Sequence, residues 1–318
     1  TTDVQNAIIT YRYCQITAER HNAKRVNNMK RMLSALVAAV AAVSLLSGCS
    51  GNAGDTLPPV VTHGIPDEKV KSTVVADGFT VDIHSTYAEI KSYTGKDVSV
   101  TVPESAAGVT VKLIGEGAFR NNAKIVKVTL PSGLISIDRY AFEGCTALSS
   151  VDFNDGLESV NDYAFRNSGL KVLNLPDSVS TVGKYSFYGT KISSVKIPAS
   201  VSRAGKYAFY GCTNLKTIEF CPRMTEIAER MFFNCTALEY VLIPETVTKI
   251  GEYAFSSCTA LEKIVIPATV TKVGEGAFVG CDRLTIYAPA GSEAEKNAGN
   301  NNYRFSACDY RAEAEKNS

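Results

Sequence analysis

The chain has 318 residues, 45% hydrophobic and 20% charged, with nine cysteines, three histidines, no tryptophan and a formal charge of +1. This balance is that of a globular chain, and it excludes the compositions of disordered and fibrous proteins. Residues 1–48 hold six Lys/Arg against two acids, so the remainder carries 27 bases and 30 acids, a net of −3, which argues against nucleic acid as a partner.

Residues 1–28 begin with Thr, show no sustained apolar period and are expected to be an untranslated or disordered extension. Met29-Lys30-Arg31 then leads into the apolar run Met32–Leu46. That run is shorter than the roughly 20 residues a membrane span needs, so residues 29–48 read as a signal peptide. Leu46-Ser47-Gly48-Cys49 resembles the lipobox of bacterial lipoproteins. By that resemblance Cys49 becomes the first mature residue and carries lipid, and two or more acyl chains give stable membrane attachment. The alternative is a plain signal peptide with Cys49 an ordinary residue.

Residues 49–77 are rich in Gly, Pro, Ser and Thr and read as a flexible linker, with order beginning near Gly78. Phe79–Ile83, Tyr87–Tyr93 and Val98–Pro103 alternate like strands. They are expected to form an atypical coil covering the first open end of the core.

From there Phe119, Phe142, Phe165, Phe187, Phe209, Phe232, Phe255 and Phe278 recur at intervals of 23, 23, 22, 22, 23, 23 and 23. A fixed period of about 20 to 29 residues is the pattern of a solenoid whose coils bury their inward side chains against their neighbours. Apolar residues stand eight and five places before each Phe, as in Leu134 and Ile137 or Val247 and Ile250. Four places before it stand Gly115, Asp138, Asn161, Gly183, Gly205, Ala228, Gly251 and Gly274, a set that predicts a backbone turn with positive φ. After each Phe comes a strand such as Leu238-x-x-Val241-x-Ile243, usually ended by Pro. The two short intervals arise from one residue fewer in the turns between Phe165 and Leu170 and between Phe187 and Ile192, which leaves the strands in register.

The array is expected to close near residue 306. Gly291–Lys296 reads as a short helix with Ser292 and Glu295 spaced as a capping box, and Tyr303 and Phe305 are expected to pack beneath it. Residues 307–318 read as a disordered tail.

The repeat Ile243-Pro244-x-x-Val247-Thr248-x-Ile250-Gly251-x-Tyr253-Ala254-Phe255-x-x-Cys258-Thr259-x-Leu261 resembles the BspA-type leucine-rich repeat. The resemblance covers about residues 79–306 and includes Gly291-Ser292-x-Ala294-Glu295. It implies a mainly β leucine-rich-repeat solenoid of about eight 22–23-residue coils, with an irregular β cap at the N-terminal end and a short helical cap at the other. It implies surface exposure and adhesion to host matrix, host cells or other microbes, and carries over no catalytic residue and no cofactor. Arg230-Met231-Phe232 departs from the usual Tyr-Ala-Phe, and Cys221-Pro222 places its Pro one position late.

Several residue sets invite a chemical reading. Cys145, Cys212, Cys235, Cys258 and Cys281 each follow their Phe by three. Equivalent positions stack, giving a column of small buried thiols; coils spaced about 4.8 Å apart also keep a disulfide between Cys212 and Cys235 open. Histidine occurs only at 21, 63 and 84, so a His-based nucleophile system or His-containing zinc set has no members within the repeats. His84 reads as a solvated strand residue, and Glu229, Glu252 and Glu275 read as a solvated charged face. Tyr140, Tyr163, Tyr185, Tyr207 and Tyr253 stand two before their Phe, where they either pack between coils or present rings to a sugar or peptide.

On the outer strand face only Tyr240, Leu242 and Val265 gather apolar side chains, flanked by Glu219 and Lys263; these five residues are the expected partner contact. The expected function is a cell-surface protein, anchored to the membrane by lipid at Cys49, whose array binds an extracellular protein or glycan. The alternatives are a structural spacer or envelope scaffold, and a carboxylate-based glycosidase.

Overall fold

A computed structural model describes residues 65–316; the lipobox cysteine, the segment before it and the first part of the linker lie outside the described residues. The chain opens as an antiparallel sheet of Ser72–Ala76, Phe79–Ile83 and Ala88–Tyr93. Asp77 and Gly78 join the first two strands with φ of 50° and 80°. An Asp-Gly pair at positive φ gives the turn whose twist matches flanking strands. Order therefore begins before Gly78, earlier than the composition of the linker implied, and Ile65 is already buried with Tyr87 and Leu113.

The strand Ala88–Tyr93 then pairs in parallel with Val109–Ile114, and parallel pairing continues to the far end. Most regular coils contribute two short strands, one to each of two parallel ladders; residues 171–176 form no strand, and Ala204 joins its ladder only by an isolated bridge to Val182. One ladder runs through Ser136–Ile137, Ser159–Val160 and Thr181–Val182, with partners such as Ser136 and Ser159 one repeat apart. The other carries the Leu-x-x-Val-x-Ile strands, for example Lys127–Thr129 on Ser150–Asp152 and Tyr240–Leu242 on Lys263–Val265. The solenoid makes about ten turns, because the cap strands at both ends add rungs to the eight coils marked by phenylalanine.

The eight phenylalanines form one column. Their centroids are 4.8 to 6.0 Å apart, their planes lie within 13° of parallel, and none is more than 1% exposed. Backbone bonds reinforce the stack: the amide of Phe142 donates to the Ala164 carbonyl at 2.7 Å, and that of Phe209 to Met231 at 3.0 Å. Phe79 and Tyr93 close the column over Phe119, and Tyr303 meets Phe278 edge-on at 6.0 Å.

The residues four before each Phe do not adopt positive φ. Their small size answers to a different need: a Cβ on Gly205 would stand 2.4 Å from the Lys184 nitrogen, and one on Gly274 2.5 Å from that of Glu252. Positive φ falls instead two places before and two places after the Phe. Tyr140, Tyr163, Tyr185, Tyr207, Arg230 and Tyr253 occupy the first site with φ of 50 to 62°, and Asn121, Gly144, Asn167 and Gly189 begin the second. The Phe thus sits on a turn bracketed by two left-handed residues, which brings neighbouring coils close enough for glycine alone to fit most of the contacts.

At the C-terminal end a helix, α1 (Glu293–Asn301), begins at Ser292. The Ser292 hydroxyl accepts from the Glu295 amide at 3.3 Å, while the Glu295 carboxylate accepts from the Gly291 amide at 2.6 Å. The strand Arg304–Ala307 then adds a last rung beside Thr285–Ala288. Beyond it the expected disordered tail is a second helix, α2 (Tyr310–Lys316), folded back onto the array.

Candidate interaction surfaces

The outer strand face places the five expected contact residues together, as the repeat register requires: Tyr240 pairs with Lys263, Leu242 with Val265, and Glu219 lies one coil earlier. It does not leave them open. Val265 is fully buried, and Tyr240, Leu242, Lys263 and Glu219 are half-buried. The cover is α2. Glu313, only 7% exposed, forms an ion pair with Lys263, and the Arg311 guanidinium lies 3.4 Å from the Glu245 carboxylate. Lys263 also stands over two rings, 5.7 Å from Tyr240 and 4.8 Å from Tyr287. Burial, with the charge of Glu313 adding to it, pushes the Tyr240 phenol well above its ordinary pKa, and burial likewise raises the Glu219 carboxyl. The apolar cluster read from the sequence is thus a seat for the chain's own C-terminus.

The tyrosine stripe is packing. Tyr140, Tyr163, Tyr185 and Tyr207 stack with centroids 4.4 to 5.0 Å apart and planes within 21° of parallel. Arg120 covers the outer face of Tyr140 at 4.9 Å. At the coil of Phe232, where the sequence substitutes Arg for Tyr, the Arg230 guanidinium fills the gap between Tyr207 and Tyr253, 5.6 and 4.6 Å from their rings. Gly276 lies against the other side of Tyr253, where a Cβ would come within 2.4 Å of the ring. A sugar stacking on these tyrosines would need a free ring face, and the rings of the ladder lie face to face.

A second aromatic column escaped the sequence reading. Tyr188, Tyr210 and Phe233, each one place after its Phe, stack at 4.9 and 4.7 Å. Their common position in the repeat was the available signal.

The five repeat cysteines are buried free thiols. Each aligns its sulfur on a phenylalanine carbonyl of the preceding coil: Cys145 on Phe119 at 3.0 Å, Cys212 on Phe187 at 3.2 Å, Cys235 on Phe209 at 3.3 Å, Cys258 on Phe232 at 3.2 Å and Cys281 on Phe255 at 3.1 Å. Desolvation pushes Cys145 and Cys212 up to about 12. Thiols so raised are donors, not nucleophiles, whereas the hydrogen bond with Cys258 lowers Cys281.

His84, expected in solvent, is 5% exposed. Its Nδ1 lies 2.9 Å from the Glu68 carbonyl oxygen and its ring stacks on Tyr87 at 4.2 Å. The segment around Glu68 folds over it, with the Glu68 carboxylate accepting from the amide and hydroxyl of Thr86 at 3.0 and 2.8 Å. Of the glutamate column, Glu252 and Glu275 are exposed, while Glu229 accepts from Lys206 at 2.9 Å and from the Tyr207 hydroxyl at 3.1 Å. The Lys206 bond is the main reason the Glu229 carboxyl lies below its usual range. Among the described residues no group of His, Cys, Asp and Glu is arranged to hold a metal ion, and no helix is long and apolar enough to cross a membrane.

Stacked coils of 22–23 residues with two parallel strand ladders and a phenylalanine column define a leucine-rich-repeat solenoid. The model of the BspA type leucine rich repeat region matches in six copies, at residues 80–190, 112–236 and 180–309, and the chain belongs to that family. Among solved structures, a leucine-rich repeat protein from Bacteroides ovatus is 21% identical, with 74% of this chain and 67% of that one covered and a TM-score of 0.59. The leucine rich repeat protein of T. pallidum is 25% identical, with 74% of this chain and all of that one covered and a TM-score of 0.53. Comparison with curated proteins yields no match.

Proposed function

We propose that the protein is displayed on the cell surface, anchored by lipid at Cys49, and that its array binds a macromolecular partner, an extracellular protein or glycan. The observation that carries the reading is the division of labour within the coil. Phenylalanine, cysteine and the in-phase aliphatic residues are consumed by the core, and what varies from coil to coil lies outside, on an extended rigid surface. Such a surface suits recognition. In the glutamate column, Glu229 is held low by Lys206, the reverse of the raised carboxyl that a glycosidase acid needs.

The anchor and the binding are tested separately. Metabolic labelling with a fatty acid should mark the natural protein and spare a Cys49→Ala variant; equal labelling of both removes the anchor. The purified array, immobilised, should retain a saturable partner from host matrix or microbial surface extracts. Retention of nothing above the level of an unrelated repeat protein leaves the spacer role in its place.

A further inference from the structure

The fold itself leaves one surface unaccounted for. In the coils of Phe165, Phe187, Phe209 and Phe232, the positions three before, two before and one after the Phe form three neighbouring columns. All twelve positions there are aromatic or charged: six rings, four cations (Arg166, Lys184, Lys206, Arg230) and two acids (Asp162, Glu229).

Coil stacking explains the column two before the Phe, where rings and Arg230 form the ladder. It does not explain the column one after. Elsewhere in the array that position holds Arg120, Glu143, Ser256 and Val279, so the fold sets no demand for a ring. Yet Tyr188, Tyr210 and Phe233 fill three consecutive turns and remain half-buried. The two columns touch, Tyr185 lying 5.8 Å from Tyr188 and Tyr207 6.1 Å from Tyr210, so they make one continuous aromatic band. Stacking pairs the faces of neighbouring rings, and the Tyr207 hydroxyl is held by Glu229 and Arg230 at 3.1 and 2.9 Å.

The charges around it are lopsided. Glu229 is already shared by Lys206 and Arg230, and Asp162 accepts the Lys184 amide at 2.7 Å. Arg166 reaches Glu143 at 3.1 Å, a carboxylate that Arg120 also holds at 2.7 Å. The Lys184 ammonium lies 5.5 Å over the Tyr185 ring and makes no ion pair among the described residues. Counted with the flanking Arg120, Glu143 and Glu252, five cations meet four acids, so the band is positive by one charge on a chain whose residues after 48 are net negative.

We propose that this band is the docking surface for an acidic polypeptide segment of a partner protein. The inference rests on the reading that the array binds a macromolecule, and names where and what. Tyrosine, phenylalanine and arginine are the residues that interfaces favour in their cores, because rigid rings bury area at little entropic cost and guanidinium groups match carboxylates in pairs. The positive balance selects an acidic segment. The lack of free ring faces within the stack disfavours neutral sugars, and the apolar ring edges favour a polypeptide with side chains of its own over a sulfated glycan.

The test uses the array with a fluorescein-labelled random Glu/Tyr copolymer as the acidic polypeptide and dextran sulfate as the glycan control, followed by anisotropy. Saturable copolymer binding is expected, weakened at least tenfold by Tyr210→Ser with Phe233→Ser, a residue that the coil of Phe255 already carries at that position. Lys184→Glu, an exchange at a side chain in no ion pair among the described residues, should weaken it several-fold while the array stays folded by circular dichroism, which guards against misfolding of the double variant. Absence of copolymer binding, or unchanged binding by folded variants of both kinds, overturns the proposal. Dextran sulfate binding tighter than the copolymer, and lost with Lys184→Glu, overturns the choice of a polypeptide. If extract partners are still captured by the variants, this surface falls while the binding role of the array stands.

Discussion

The hydroxyl of Tyr310 donates to the carbonyl of Ile243, 2.8 Å away and 67 residues earlier in the chain. This bond, with the Lys263 and Glu313 ion pair, fastens a helix of seven residues that is too short to persist alone in water. Its stability is therefore borrowed from the strand face that it covers.

Removal of residues 309–318 should uncover Tyr240, Leu242 and Val265. An apolar patch in the middle of a strand face binds dyes and other copies of itself, so the truncated array should show increased binding of an apolar fluorescent dye and concentration-dependent association by light scattering. Tyr310→Phe removes only the hydrogen bond and should cost about 0.5 to 1.5 kcal/mol locally, read as faster amide exchange across 310–316. Truncation without change in dye binding or association would mean that the helix is not seated there.

Phe187 and Phe209 are fully buried between rings 5.4 to 5.6 Å away. Either one changed to Ala should cost about 3 to 5 kcal/mol, since a rigid stack cannot collapse into the space. In an array where each coil contacts only its neighbours, a loss in the middle is expected to split one unfolding transition into two. A single unshifted transition by circular dichroism would refute the column as the core.

These residues also mark what was legible beforehand. The Phe period fixed the coil length, the inward positions and the 22-residue exceptions, because one-dimensional stacking writes the same burial into every repeat. Ser292 and Glu295 located α1 because a cap is local chemistry. What failed was long-range or ambiguous. Glycine at the fourth place before the Phe serves close approach, yet in sequence it looks the same as glycine serving positive φ; the alternation of Asn and Gly at Asn121, Gly144, Asn167 and Gly189 was the sounder signal. Residues 307–318 read as a disordered tail, four of the six from Arg311 to Lys316 being charged, and only the partner at Lys263 reveals why Glu313 is buried. Likewise Val265 is exposed in every reading that knows only its own coil.

Arg230 should behave as a member of the tyrosine ladder. Arg230→Tyr restores the regular repeat and should change stability by less than about 1 kcal/mol. Arg230→Ala opens a gap between Tyr207 and Tyr253 and takes one of two cations from Glu229, with an expected loss of about 1 to 2 kcal/mol. Chemical denaturation of the two variants beside the parent decides the matter. Equal losses from both would show that the guanidinium has a role a ring cannot fill.

Burial of Cys212 makes stability depend on pH in a predictable direction. Cys212 has its pKa pushed by burial from an ordinary value of 9.0 to about 12. A thiol that stays protonated in the folded state while the unfolded chain ionises favours folding fully below the unfolded pKa. Between about 9 and about 12 the unfolded state binds fewer protons, so stability falls as pH rises, by roughly 1.4 kcal/mol per pH unit for each such group. Tyrosines titrate in the same window, so the measurement is a difference. Cys212→Ser keeps a donor for the Phe187 carbonyl but removes the titration, and its denaturation midpoint should fall less steeply than the parent's between pH 9 and 11. In the same range the folded parent should leave a thiol reagent unconsumed at Cys212 until denaturant is added. Parallel slopes in parent and variant, or prompt labelling of the folded protein at Cys212, would mean that this sulfur is not shielded in the column.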